Sequence, residues 1–234
     1  MEFQQPLIRA TLIKRYKRFL ADVTLDDGRE VTAHCANPGA MTGLNIAGMT
    51  VWLEPNDDPK RKLRYSWKLV EVGTGLVGID TAMPNKIVAE ALANSQIPEL
   101  AAYKNIKPEV KYGENSRIDF LLTSSGLPDC YLEVKCANLS RTAGLVEFPD
   151  TVTKRGTKHL RELGNMTGQG HRAVTLYLVF RDDCSRFSVA ADIDPTYATA
   201  FSDAHARGVE TLCYATNIAV NAVTLGRPLP IEQP

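Results

Sequence analysis

The stretch AVTLYLVF, from Ala173 to Phe180, constrains the fold more than any other. A strand alternates its side chains between two faces. Here both faces are apolar, and Thr175 is the one polar residue. Such a strand needs a packing layer above and below, so it belongs inside a sheet covered on both sides. Its neighbours can supply those layers. Before it, TVTKRGTKHLREL reads as a helix with Leu160 and Leu163 toward the core. After it, DPTYATAFSDAHARGV reads as a helix with Pro195 near its start and Gly208 at its end. VETLCYA follows as a further strand.

Upstream, KIVAEALAN spaces Ile87, Val88, Ala91 and Leu92 as a helix does, with Asn85 as the expected N-cap. PELAAYKN is expected to add a second helical piece from Pro98. Three strands are then expected in EVKYG, RIDFLLT and CYLEVKCA, with SSGLPD as the turn between the last two and residues 143–148 as a fourth, short strand. This order predicts an α/β (α+β) sandwich around a mixed sheet over residues 81–234.

Residues 1–80 have a different character. LIRATLIKRY, FLADVTL, VTAHC, TVWLEP and LRYSWKLVEVG read as short strands, and Asp27-Gly28 marks a hairpin between the second and third. Five short strands without a convincing helix predict a small barrel of the OB kind.

Composition narrows the function classes. Lys plus Arg number 27 and Asp plus Glu number 27, which excludes a polycationic binder acting by bulk charge. Any nucleic-acid contact must rest on a local basic surface. No apolar stretch is long enough for a membrane helix, the first residues lack the features of a secretory signal, and the expected location is the cytoplasm. The five cysteines include no CxxC pair, which argues against a disulfide framework or structural zinc. The four histidines are scattered along the chain.

YLEVKCANL carries the chemistry. Glu133 and Lys135 fall on one face of their strand. Two readings stay open: a salt bridge on a half-exposed strand, or half of a metal site. Asp119 in RIDFLL lies fourteen residues earlier, on the expected neighbouring strand. If the two strands pair, the three side chains converge. Mg²⁺ favours one or two carboxylates plus water and phosphate oxygens, which Asp119 and Glu133 can provide, with the Val134 carbonyl as a further oxygen. Lys135 is then placed to orient a water or to stabilise charge on a phosphate.

Basic residues form two candidate contact surfaces. Arg9, Lys14, Arg15, Lys17 and Arg18 interleave with Tyr16 and Phe19 in the first strand and its turn. Lys154, Lys158 and Arg161 form a stripe at helical spacing. An edge strand or a solvated helix face would look the same. Lys60, Arg61, Lys62 and Arg64 are partly offset by Asp57 and Asp58 and read as a solvated loop.

With these segments in view, the chain resembles the bacterial sugar fermentation stimulation (SfsA) family over nearly its whole length. The resemblance lies in RYKRFLADV, HCANPGAMTGL, EVKYGENSRIDFLL, YLEVKCANL and FPDTVTKRGTKHLREL. The second half is also similar to the PD-(D/E)XK nucleases: Asp119 matches their first acidic residue, Glu133 and Lys135 their ExK, and Ile118 stands where they have proline. The resemblance implies an OB-like nucleic-acid-binding domain (1–80) and a nuclease-like domain (81–234). It implies binding of DNA without strong sequence preference, a role in regulating sugar or maltose metabolism, and a site for Mg²⁺ or Mn²⁺ that hydrolyses phosphodiesters. It implies Glu90 as a further metal ligand, with Glu109 and Glu147 as weaker options. It also implies Lys14, Arg15, Lys17, Arg18, Lys154, Lys158 and Arg161 as nucleic-acid contacts. The alternative is a binding-only regulator with an inactive nuclease fold. A third reading, an enzyme acting on a phosphorylated sugar, rests on the family's name alone.

Overall fold

A computed structural model describes residues 1–232. Six strands come first: β1 (Ile8–Tyr16), β2 (Leu20–Leu25), β3 (Glu30–Cys35), β4 (Thr50–Pro55), β5 (Tyr65–Val72) and β6 (Gly75–Gly78). They form one sheet in the order β3-β2-β1-β4-β5-β6, and a parallel β3–β5 pairing closes five of them into the expected barrel. Alternate residues of each strand point inward. Leu12, Val23, Ala33, Val51, Leu53 and Trp67 fill the barrel and are almost fully buried. Trp67 keeps its indole N–H satisfied by the Leu69 carbonyl at 2.9 Å. The partial alternation of β1 has a local cause: its register slips between Leu12 and Lys14.

A second six-stranded sheet forms the other half. The helix α1 (Met83–Ala93) leads into β7 (Asn105–Tyr112), β8 (Ser116–Thr123), β9 (Cys130–Ala137), β10 (Leu139–Thr142) and β11 (Leu145–Phe148). There follow α2 (Lys154–Gly168), β12 (Arg172–Val179), β13 (Arg186–Val189), α3 (Pro195–Ala206), β14 (Glu210–Ile218), β15 (Val223–Pro228) and β16 (Ile231–Glu232). The large sheet runs β15-β14-β12-β9-β8-β7. It is mixed, because β12 is parallel to both β9 and β14 whereas β7, β8 and β15 pair antiparallel. As expected, the AVTLYLVF strand is interior and covered on both faces. Leu160, Leu163 and Tyr197 of α2 and α3 pack with Tyr177 and Val179 on one side. Met83, Ile87 and Val88 of α1 pack with Leu176 and Leu178 on the other.

Several expectations are corrected. Asn85 does not cap α1, which begins at Met83 after Ala82 with Pro84 in its first turn. The start is fixed instead by Asp80, whose Oδ1 accepts from the Ala82 N–H at 3.0 Å. PELAAYKN folds only as a short 3₁₀ turn over Pro98–Leu100. A four-stranded sheet, β10-β11-β13-β16, was not expected beyond its β11 portion.

The two halves are joined directly. Gly78 donates its N–H to the Phe180 carbonyl at 2.8 Å, and Val77 bridges to Arg181. A Cβ on Gly78 would lie 2.1 Å from the Phe180 ring, so only glycine permits this approach. The N-terminal ammonium of Met1 donates to the Val223 carbonyl at 2.8 Å, tying the first residues to the large sheet. Among the described residues no helix is long and apolar enough to cross a membrane.

Candidate active site

The site begins where β8 and β9 part. Their pairing runs Leu122–Cys130, Leu121–Tyr131 and Phe120–Leu132, and stops there. The next ladder donor on β9, the N–H of Val134, is buried and must be satisfied. Asp119 Oδ2 accepts from it at 2.7 Å, so a side chain replaces the missing backbone partner. Asp119 Oδ1 accepts from Asn85 Nδ2 of α1 at 2.7 Å. On the other flank of β8, Glu109 adopts a left-handed φ of 55° opposite Asp119 and interrupts the pairing between Pro108–Phe120 and Val110–Ile118 without shifting its register.

On β9, alternation sends Val134 toward α1 and Glu133 with Lys135 toward α2, as the sequence predicts. Glu133 is 3 % exposed. Lys135 Nζ donates to Glu133 Oε1 at 2.6 Å. His159 Nδ1 makes a short contact with the same oxygen. His159 Nε2 in turn receives the Arg155 guanidinium Nε–H at 3.3 Å. The salt bridge is therefore present, on a buried carboxylate rather than a half-exposed one. The salt bridge uses Oε1, while Oε2 is buried with no partner among the described residues.

α2 is aimed by its cap. Thr153 accepts from Gly156 N at 3.1 Å, and Thr153 N donates to the buried Asp194 Oδ2 at 2.8 Å. Asp194 Oδ1 accepts from Tyr197 N at the start of α3. With α2 fixed, His159 and Glu162 face the sheet at i,i+3 spacing. Glu162 Oε1 accepts from the Glu114 N–H at 3.0 Å. Glu162 Oε2 and the Tyr112 hydroxyl are buried and unpartnered, like Glu133 Oε2.

The electrostatics follow from this crowding. Burial, then the facing Glu133 charge, raises the Asp119 carboxyl against the pull of its Val134 and Asn85 donors. Burial pushes Glu133 the same way, but the His159 hydrogen bond and the Lys135 charge outweigh it and hold Glu133 below its ordinary value. Burial, then the charges of Glu133, Glu162 and Asp119, drives the Tyr112 phenol far above its ordinary value. The site is thus a buried acidic cluster in which one carboxyl is held below its ordinary value and a second is raised above it. An added cation relieves that conflict.

Asp119, Glu133 and Lys135 are brought together. Glu90 is not: it lies on the exposed side of α1 and pairs with the Met1 ammonium at 3.0 Å. Glu147 is held by Arg141 at 2.6 Å. Among the described residues no three His, Cys, Asp or Glu side chains form a cage for an ion. The donor set is therefore two carboxylates, one with an orphaned oxygen, which fits a hard cation that keeps water or phosphate in its other positions. Sequence reading missed Asn85, Tyr112, His159 and Glu162. The His159–Glu162 spacing on one helix face was the available signal.

The basic candidates divide. Arg15 is spent on the fold, since its guanidinium donates to the carbonyls of Arg18, Asn37 and Gly39. Lys14 pairs with Asp22 at 3.6 Å and lies over the Tyr16 ring. Lys17 and Arg18 are exposed, and both adopt left-handed φ in the β1–β2 turn. Lys158 donates to the Glu114 carbonyl, while Lys154 and Arg161 are exposed on α2.

Comparison with known proteins agrees with the fold. Residues 13–79 match the family model of the SfsA N-terminal OB domain, and residues 82–222 match that of the sugar fermentation stimulation protein RE domain. The chain belongs to the sugar fermentation stimulation protein family. A sugar fermentation stimulation protein homolog of Ruegeria sp. (strain TM1040) is 62% identical over 231 residues, covering 98% of this chain and 100% of its own. The homolog of Dinoroseobacter shibae is 60% identical, covering 99% and 96%. Pyrococcus furiosus SfsA, solved in complex with Ca²⁺, superimposes with a TM-score of 0.89 at 26% identity, covering 99% of this chain and 98% of that one.

Proposed function

We propose that this SfsA family member binds DNA and hydrolyses phosphodiesters with a divalent cation, Mg²⁺ or Mn²⁺, held by Asp119 and Glu133. One observation carries the reading: the buried Glu133 Oε2, unpartnered, on a carboxylate whose other oxygen is fixed by Lys135 and His159. A buried charged oxygen without a partner is costly, and a cation is the ligand that repays it. The Ca²⁺ of the Pyrococcus furiosus relative supports a divalent ion in this fold.

When bound, such an ion makes its water more acidic and offsets charge on a phosphate. Asn85 and Val134 orient Asp119, so its lone pairs are aimed before an ion arrives. Lys135, anchored on Glu133 Oε1, presents its remaining protons to a water or a phosphate oxygen. The barrel supplies backbone affinity through Lys14, Lys17 and Arg18, and α2 supplies phosphate contacts through Lys154, Lys158 and Arg161. Action would be in the cytoplasm, and regulation of sugar metabolism would run through this contact with DNA.

A binding-only regulator is the second reading. It is favoured by the small donor set, since no three His, Cys, Asp or Glu side chains among the described residues form a cage for an ion. The test is incubation of pure protein with Mg²⁺ or Mn²⁺ and single-stranded, duplex and RNA substrates. Cleavage by the native protein, lost in Glu133→Gln and Lys135→Ala with binding kept, supports hydrolysis. Salt-sensitive binding without any cleavage leaves the regulator.

A further inference from the structure

The barrel end beside the β1–β2 turn carries an arrangement that the site above does not use. Phe19 is 46% exposed, and its ring stands over His34 with centroids 6.4 Å apart and planes 25° from parallel. The backbone builds this pair. Lys17 and Arg18 turn the chain through left-handed φ of 49° and 63°. Phe19 then accepts from the Cys35 N–H at 2.8 Å, which sets it beside β3. His34 lies opposite Leu20 of β2 on one side and Ser66 of β5 on the other. Neither ring is in the barrel core.

Cations flank the rings from two loops. The Lys17 and Arg18 side chains make no ion pair or hydrogen bond among the described residues. On the β5 side, the loop between β4 and β5 carries exposed Lys60, Arg61, Lys62 and Arg64. Asp58 of that loop is occupied in folding it, accepting from the Lys60 N–H at 2.9 Å. Arg61 and His34 line one cavity of about 490 Å³, bounded across from them by Lys86 of α1. Of its acidic walls, Glu54 and Asp80 share the ammonium of Lys68, which offsets one of their two charges, and Glu2 is the third acid. Lys86 follows Asn85, the residue that holds Asp119.

We propose that Phe19 and His34, between the basic loops at residues 17–18 and 60–64, form a stacking position for an unpaired base of a nucleic-acid strand. This rests on the reading of the protein as a nucleic-acid binder and names the substrate state: a single-stranded or locally opened strand. The chemistry selects it. A flat pair of rings bordered by free cations matches a base face with its neighbouring phosphates, and OB barrels take oligonucleotides on this face and at these two loops. A duplex keeps its base faces stacked within the helix and cannot offer one. A lone exposed phenylalanine among cations is too small an apolar patch for a protein interface.

The experiment uses the full chain in EDTA, so that binding is read apart from cleavage. Fluorescence anisotropy compares a labelled oligothymidylate of about 15 nucleotides, the span of one OB site at its upper end, with a duplex of equal length. Phe19→Ala should weaken the single strand about tenfold, near the low end of what one lost base stack costs. Its effect on the duplex should stay within about twofold, and Phe19→Trp should restore single-strand binding. A 2-aminopurine placed in the strand should be quenched by the native protein and not by Phe19→Ala. Thermal unfolding checks that each variant is folded. Equal losses on both substrates, an unchanged single-strand affinity in Phe19→Ala, or no single-strand binding by the native protein would each overturn the proposal. A parallel incubation with Mn²⁺ separates the two readings: cleavage there with normal binding by Phe19→Ala would sink the stacking position alone, and no cleavage there with intact stacking in EDTA would sink only the hydrolase.

Discussion

Val134 gives its backbone N–H to Asp119 Oδ2 at 2.7 Å, immediately past the point where β8 stops pairing with β9 at Phe120 and Leu132. That single contact explains how an acidic residue comes to sit inside a sheet. The strands part here, and separation leaves a buried N–H to satisfy. The carboxylate satisfies it and is thereby fixed where the charge of Glu133 reaches it.

Asn85 holds the other oxygen of Asp119. Asn85→Ala removes that donor and should lower stability by about 1–2 kcal/mol, the cost of one hydrogen bond to a partly buried charged group. Asn85→Asp sets a second carboxylate against Asp119 and should unfold earlier than Asn85→Ala when divalent ions are chelated. Thermal and urea unfolding in EDTA measure both. Equal stability of the two variants would mean that Asn85 does not face Asp119 in solution.

His159 and Glu133 should behave as one unit. His159→Ala and Glu133→Gln each break the same buried contact, so their effects should fail to add, with a coupling of about 1.5–3 kcal/mol in a double-mutant cycle. Urea unfolding of the native protein, both single variants and the double variant supplies the four values. Additivity within about 0.5 kcal/mol would show the pair to be uncoupled.

How much of this was legible in the sequence depended on the length of each pattern. AVTLYLVF announced a doubly covered strand because its residues are apolar on both alternate faces. Glu133 and Lys135 could be placed together because the period of a strand is two. The β10-β11-β13-β16 sheet was mostly invisible because its strands are four residues or shorter and two of its pairings are between distant parallel segments. Asn85 looked like a cap because its residue type favours one, but Asp80 and Pro84 already set the start of α1. His159 was read as a lone histidine because its partner lies on another element. Glu90 was assigned by resemblance and lies on the face of α1 that meets the N-terminus. Arg15 shows the limit of reading charge alone, since two of its three carbonyl partners, Asn37 and Gly39, appear only once the 37–39 loop is folded.

The Arg181–Asp183 pair should make the stability of the fold depend on pH. Arg181 is 4% exposed, and its guanidinium donates through both Nε and Nη2 to Asp183 at 2.6 Å, next to the strand bridge with Val77. Burial raises the Asp183 carboxyl, but the Arg181 hydrogen bond and charge more than reverse this and depress it. A depressed carboxyl contributes its stability above the unfolded value of about 3.9, and loses it as pH falls through the lower, folded value. Asp183→Asn should cost about 3 kcal/mol near neutral pH, the low end for a broken buried pair because Asp183 is partly exposed. The gap between native and variant should close below about pH 4. Urea unfolding across pH tests this; a gap that persists into acid would place the effect elsewhere.

The proposed chemistry requires a divalent ion between Asp119 and Glu133. Crystals of the full chain grown with Mn²⁺, with anomalous diffraction recorded at the manganese edge, address that directly. The predicted result is one anomalous peak about 2.1 Å from Glu133 Oε2 and from an oxygen of Asp119, lost in Glu133→Gln. A peak elsewhere, or none at this pair with Mn²⁺ in excess, would contradict a metal-dependent site built on these two carboxylates.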